Sequence, residues 1–193
     1  MYPQVTLTTA SREDAARVAQ WLDDAEVNSV WYGVDGNGVP VHIGYSPHRM
    51  ADASDEEVQS IFEHEDRKIY SIYTQEGDHI GEAQLVVEWP LQEAQAFILV
   101  GRKDLWHHHY GTMAMIGLLD EAYESLRLHR VWVDVPEYSE HAIQLCEHIG
   151  FVLEGHLRET HLKDGKWYDS MAMGLLADEY ARRRSRLMGN AAV

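Results

Sequence analysis

The stretch that decides the fold runs from Phe97 to Phe151: FILVGRKDLWHHHYGTMAMIGLLDEAYESLRLHRVWVDVPEYSEHAIQLCEHIGF. It begins inside an apolar strand, Ala94 to Val100, that stops at Gly101. A short loop, Arg102 to Tyr110, leads into a helix that opens at Gly111-Thr112 and runs to Leu126. Met115, Leu118, Leu119, Ala122 and Leu126 fall on one side of that helix, with the spacing of a buried stripe. A helix start leaves backbone N–H groups unpaired, and the aligned peptide dipoles reinforce them, so the loop before Gly111 can receive an anion. Val131 to Val135 is a short apolar run, read as a buried strand. Ser139 then caps a helix through Ile149, and Gly150 stands where a left-handed C-cap glycine belongs.

The flanks extend the pattern. Val5 to Thr8 alternates as a first strand, and Ser11 caps a helix buried through Ala15, Val18, Ala19 and Leu22. Trp31 to Pro47 is a long irregular loop rich in glycine and carrying Trp31, Tyr32 and Tyr45, the kind of segment that holds binding sites. Ser54 and Glu57 have capping-box spacing ahead of an apolar face of Val58, Ile61 and Phe62. Lys68 to Tyr73 and His79 to Val87 read as a hairpin. Val152 to His161 and Lys166 to Met173 flank Asp164-Gly165, a favoured two-residue turn. The order β-α-α-β-β-β-α-β-α-β-β predicts one α/β domain with a mixed, partly antiparallel central sheet flanked by helices. The domain is read as residues 1–177, and residues 178–193 as a polar basic tail.

Composition narrows the function classes. The chain has 193 residues, enough for one domain, and its 32 acidic and 16 basic residues leave a formal charge of −16. That charge excludes a general nucleic-acid binder, which needs Lys and Arg against phosphate, and suits a cationic partner. No apolar run approaches the ~18 residues of a membrane span, and Met1 to Asp14 lacks a signal pattern. A cytoplasmic location follows as the expectation. The single cysteine, Cys146, excludes an internal disulfide and a Cys-rich zinc site. His107-His108-His109 does not make a metal site on its own, because consecutive residues of a regular element cannot converge on one ion; no metal is expected.

The motifs together resemble the GNAT family of N-acetyltransferases, in the branch of ribosomal-protein N-terminal acetyltransferases and spermidine acetyltransferases. The resemblance rests on Gly81-Glu82-Ala83, Ala94 to Val100, Asp104 to Thr112, Leu128 to Val131, Ala142-Ile143 through Gly150-Phe151, Glu154 to Arg158 and Asp164 to Asp169. Their order and spacing carry it, over nearly the whole chain. It implies the GNAT fold and acetyl transfer from acetyl-CoA to a primary amine: of a small cationic molecule, or of a protein N-terminus. It implies that backbone amides of His107, His108, His109, Tyr110, Gly111 and Thr112 hold the coenzyme pyrophosphate. Phe97, Ile98, Leu99 and Val100 would pair with the pantetheine and polarise the thioester carbonyl, an oxyanion-type stabilisation. The branch often forms homodimers.

Three positions depart from the family pattern. Trp106 and His109 replace the leading Gln/Arg and the middle glycine of the loop, so Cβ atoms are expected to crowd the phosphate cradle. Ser139 stands where Asn is frequent. Cys146 stands where a Tyr often protonates the departing thiolate, and a thiol is a candidate acid in its place. Glu82 is the first candidate base, with Glu88 and Asp134 behind it. Trp31, Tyr32, Tyr138 and Tyr168 are candidates for the acceptor cleft. The acidic run Asp52 to Asp66, seven carboxylates with His64 as its one basic side chain, is a candidate attractor for a cationic amine. The altered positions also allow another reading, a GNAT-fold binding or regulatory module without catalysis.

Overall fold

The computed structural model describes residues 2–189. Seven strands form one sheet in the order β1-β2-β3-β4-β5-β7-β6. They are β1 (Val5–Thr9), β2 (Arg67–Thr74), β3 (His79–Glu88), β4 (Glu93–Val100), β5 (Arg130–Pro136), β6 (Val152–Lys163) and β7 (Lys166–Leu176). All neighbours are antiparallel except β4 and β5. The helices are α1 (Arg12–Leu22), α2 (Ala25–Val30), α3 (Asp55–Phe62), α4 (Tyr110–Asp120), α5 (Glu140–Ile149) and α6 (Ala177–Gly189).

Local chemistry explains most boundaries. Ser11 and Ser54 close true capping boxes with Asp14 and Glu57, each satisfying two backbone donors at a helix start. Asp164 and Gly165 both have positive φ, 52° and 73°, the primed turn that matches strand twist in the β6–β7 hairpin. Gly150 has φ 118° and ends α5 as expected.

The main core lies between the sheet and α4, α5 and α6. It gathers Ile80, Ala83, Leu85, Met115, Leu118, Leu119, Val131, Ile149 and Leu175. On the opposite face Val18, Leu22, Val27 and Leu99 form a smaller cluster under α1 and α2, joined by Trp21, Trp31 and Trp106.

Two expectations are corrected. Ala25–Val30 form a helix, α2, that no periodic pattern announces; Asp24 caps it through the N–H groups of Glu26 and Val27. The helix after Gly111 does not run on as α to Leu126; it widens to a π turn over Glu121–Ser125. The polar basic tail is helical as far as Gly189. It is α6, whose Tyr180 and Leu187 are buried in the main core, and whose Tyr180 hydroxyl donates to Asp120 at 2.7 Å. Residues 190–193 of the expected tail lie outside the described residues.

Candidate active site

The site arises where the sheet comes apart. β4 and β5 pair in parallel only at Glu93–Arg130, Ala94–Val131 and Gln95–Trp132. β4 continues to Val100 and β5 to Pro136 without each other. Past Gln95, the β5-facing backbone groups of β4 therefore have no strand partner, although β3 stays paired with β4 up to Val100. A cleft of about 520 Å³ runs through this opening.

Its one wall is the loop before α4. His107 and His109 have φ of 63° and 65°, the left-handed conformation that glycine adopts without cost. The loop thus keeps the glycine-type path with imidazoles on it. A non-glycine residue held there costs ~1–2 kcal/mol. Among the described residues, no backbone carbonyl accepts from the N–H groups of His107, His109, Tyr110, Gly111 or Thr112; the first donor of α4 into the ladder is Met113, to the His109 carbonyl at 3.0 Å. Free amides at a helix start make an anion cradle. At His109 the backbone turns as glycine would, with a Cβ where the family pattern has none. His107 and His109 line the cleft, and His108 does not. Trp106 packs into the Leu99 cluster, and its Nε1–H donates to the Val100 carbonyl at 2.8 Å, fixing the loop to the end of β4.

The second wall is built by α2 and the β5–α5 junction. Tyr138 donates to the Trp31 carbonyl at 2.9 Å and Ser139 to the Val30 carbonyl at 3.0 Å, while Lys163 donates to the Ser29 carbonyl. Three side chains from the β5, α5 and β6 half thus occupy carbonyls at the C-terminal end of α2. Ser139 does not cap α5, since its hydroxyl is turned to α2 instead. Trp31, Tyr32 and Tyr138 face the cleft; Tyr168 packs edge-on behind Tyr138, with ring centroids 5.0 Å apart, and does not line it.

One carboxylate lies on this wall. Asp134, on β5, lines the cleft, and its buried Oδ1 has no hydrogen-bond partner among the described residues. Its Oδ2 is 4.0 Å from His161 Nε2 on β6, and the His161 ring stacks on Tyr32 at 5.1 Å. Burial lowers the His161 pKa, with Asp134 pulling the other way, and burial beside Asp134 raises the Tyr32 hydroxyl. The Trp31 indole N–H on the same wall is also unpartnered.

Glu82 is placed differently from its expectation. It is only 4% exposed and does not line the cleft. Tyr45 donates to its Oε2, Gln84 to its Oε1 at 2.6 Å, and His42 Nε2 lies 3.0 Å from Oε1. Glu88 is exposed at the end of β3. Cys146 touches the cleft from the apolar core, where burial pushes its thiol up to about 12. Burial thus keeps this thiol protonated in its apolar surroundings. The carboxylates of the run Asp52 to Asp66 do not line the cleft; α3 presents its own to solvent.

A parallel pair that splays over a helix-start cradle, opposite an aromatic wall with one free carboxylate, defines the class: an acyl-coenzyme A-dependent transferase scaffold. The comparisons agree. Residues 4–152 match the model of the acetyltransferase (GNAT) domain, and the chain belongs to that family, whose acetyl donor is acetyl-CoA. A 65-residue segment is 35% identical to spermidine N(1)-acetyltransferase of Vibrio cholerae, covering 34% of this chain and 38% of that relative. The structure of spermidine N-acetyltransferase from Vibrio cholerae in complex with CoA and spermine superposes with a TM-score of 0.76 at 21% identity, over 92% of this chain and 98% of that one. A chimera of the Vibrio cholerae enzyme and hSSAT gives 0.76 at 20% identity, over 93% and 99%. These superpositions establish the fold.

Proposed function

We propose that this protein acetylates a primary amine of a small polyamine, of the spermidine and spermine class, using acetyl-CoA. The observation that carries the reading is the cleft itself. It joins an anion cradle on one side of the splayed strands to an aromatic wall that carries Asp134 on the other, whose Oδ1 has no hydrogen-bond partner among the described residues. The matches to spermidine acetyltransferases support the choice of amine.

Acetyl-CoA supplies an acetyl group as a thioester, with an electrophilic carbonyl. The amides from His107 to Thr112 hold its diphosphate, and the free side of Phe97 to Val100 pairs with the pantetheine. An N–H of that strand polarises the thioester carbonyl as a preorganised donor. Asp134 receives the ammonium, and Trp31, Tyr32 and Tyr138 flank it with ring faces that favour a cation. The amine must be neutral to attack, and Asp134 is also the nearest proton acceptor on the wall. Glu82 holds Tyr45, Gln84 and His42 in place from beneath. Ser139 and Tyr138 keep α2 closed over the cleft. Cys146 has no acid role in this scheme. A homodimer is part of the reading, through the edge strand β6, which exposes Val152, Leu153 and Leu157.

A thiol-release assay with acetyl-CoA over spermidine, spermine, a protein-like N-terminal peptide, an aminoglycoside and an amino sugar tests this. Turnover with the polyamines above the others is expected. Coenzyme binding without thiol release on any amine favours the non-catalytic module, and turnover confined to the peptide reassigns the acceptor.

A further inference from the structure

A second cavity of about 400 Å³ lies beside the cleft, lined by His148 of α5 and by Arg183, Arg186 and Leu187 of α6. His148 lines both spaces. Tyr2 bridges them as well: its ring lies 4.7 Å from that of His109 in the cradle, and its hydroxyl is 2.9 Å from His148 Nε2. The line from the amide cradle through Tyr2 and His148 to the arginines is therefore continuous.

The charge there is unusual for this chain. Against a formal charge of −16, six of the sixteen Lys and Arg side chains are committed among the described residues. Arg12, Arg17, Arg102, Lys103, Arg130 and Arg184 all pair with carboxylates. Among the described residues, Arg183 and Arg186 pair with none, and no carboxylate lines their cavity. Arg183 also lies over Gly150, where an added Cβ would come within 2.6 Å of its Cδ. The bare glycine lets the arginine stem lie flat across the end of α5.

We propose that this cavity binds the ribose 3′-phosphate of the coenzyme, through Arg183, Arg186 and His148. The inference rests on the coenzyme reading above. In the coenzyme, the adenosine 3′-phosphate follows the diphosphate at the end remote from the thiol. The cavity likewise adjoins the cradle, through Tyr2 and His148. Guanidinium forks match a phosphate monoester, and the second negative charge of a monoester favours two of them.

The test compares coenzyme A with 3′-dephospho-coenzyme A by calorimetric titration. The proteins are the wild type and the double variant Arg183→Gln, Arg186→Gln. The wild type should bind coenzyme A at least tenfold more tightly than the dephospho form. The double variant should lose that preference while binding the dephospho form within about twofold of the wild type. Arg183→Lys with Arg186→Lys should recover part of the preference, which a merely structural role of the stems would not produce. Adenosine 3′,5′-bisphosphate should compete with coenzyme A in the wild type, and inorganic phosphate at the same concentration should not. Equal wild-type affinity for the two coenzymes overturns the inference alone, as do equal losses of both in the double variant or competition by inorganic phosphate at equal strength. Binding of neither coenzyme by the wild type overturns this inference together with the coenzyme reading.

Discussion

At the level of single residues, Asp134 and His109 carry the account. Asp134 is the carboxylate that the splayed strands leave facing the cleft, and its buried Oδ1 has no other partner. Removing one member of a buried charge pair costs about 2–5 kcal/mol. Asp134→Asn should thus lower kcat/KM for a polyamine roughly 30-fold or more, measured by thiol release, with coenzyme affinity unchanged. Equal kcat/KM in the variant would exclude Asp134 from the amine site. His109 is held at φ 65°. His109→Gly should raise stability by about 1 kcal/mol, read by chemical denaturation, since glycine removes the left-handed penalty in excess of its own unfolded-state entropy. These roles differ in how far the sequence shows them. Glu82 was legible as a polar residue inside a central strand. That Tyr45, Gln84 and His42 would occupy its oxygens depends on where a distant loop lands. Asp134 ranked behind it because exposure to the cleft is set by where β4 and β5 part, and no local pattern states that.

Among the elements, the periodic ones were readable and the short or polar ones were not. α4 and α5 show apolar stripes, the glycine after α5 marks its end, and Asp164-Gly165 marks the turn between β6 and β7 with backbone chemistry. α2 has six residues, too few to show a 3.6-residue period. α6 is mostly charged, and its core contacts through Tyr180 and Leu187 lie seven positions apart. Leu187→Ala should cost about 2–4 kcal/mol by denaturation, the usual range for an emptied aliphatic site. A solvated tail would show almost none. The strap over α2 gives another test. Tyr138→Phe and Ser139→Ala together should raise the KM for the amine several-fold and leave the core intact, because their hydroxyls hold the Trp31 and Val30 carbonyls. An unchanged KM would separate the closure of α2 from acceptor binding.

For the whole molecule, acid sensitivity follows from two buried histidines. His79 accepts from Arg17 through Nδ1 at 3.0 Å and contacts the Gly81 carbonyl through Nε2 at 2.9 Å, an arrangement for the neutral ring. Burial lowers the folded-state pKa of His79 and of His161. The unfolded chain then binds more protons than the folded one as pH falls through ~6.5, so stability is fully present above that pH and declines below it until the folded-state values are passed. Asp14, against which burial works, is nonetheless held below the usual range by hydrogen bonds from Tyr73 and Ser11 and by His79. Its contribution is present above the normal carboxylate pKa and is lost as pH falls through the lowered value. Denaturation midpoints against pH should show a histidine step, reduced in His79→Gln, and then a carboxylate step. A flat profile between pH 7 and 5 would refute the histidine part.

The acidity of the chain does not prevent phosphate binding, because the cradle is made of amides and not of lysines. The whole account stands on that cradle working with His107 and His109 in it. Calorimetric titration of the wild type with acetyl-CoA is the most direct measurement. One site per chain with micromolar or tighter affinity is the predicted result; no binding heat at millimolar ligand would contradict it.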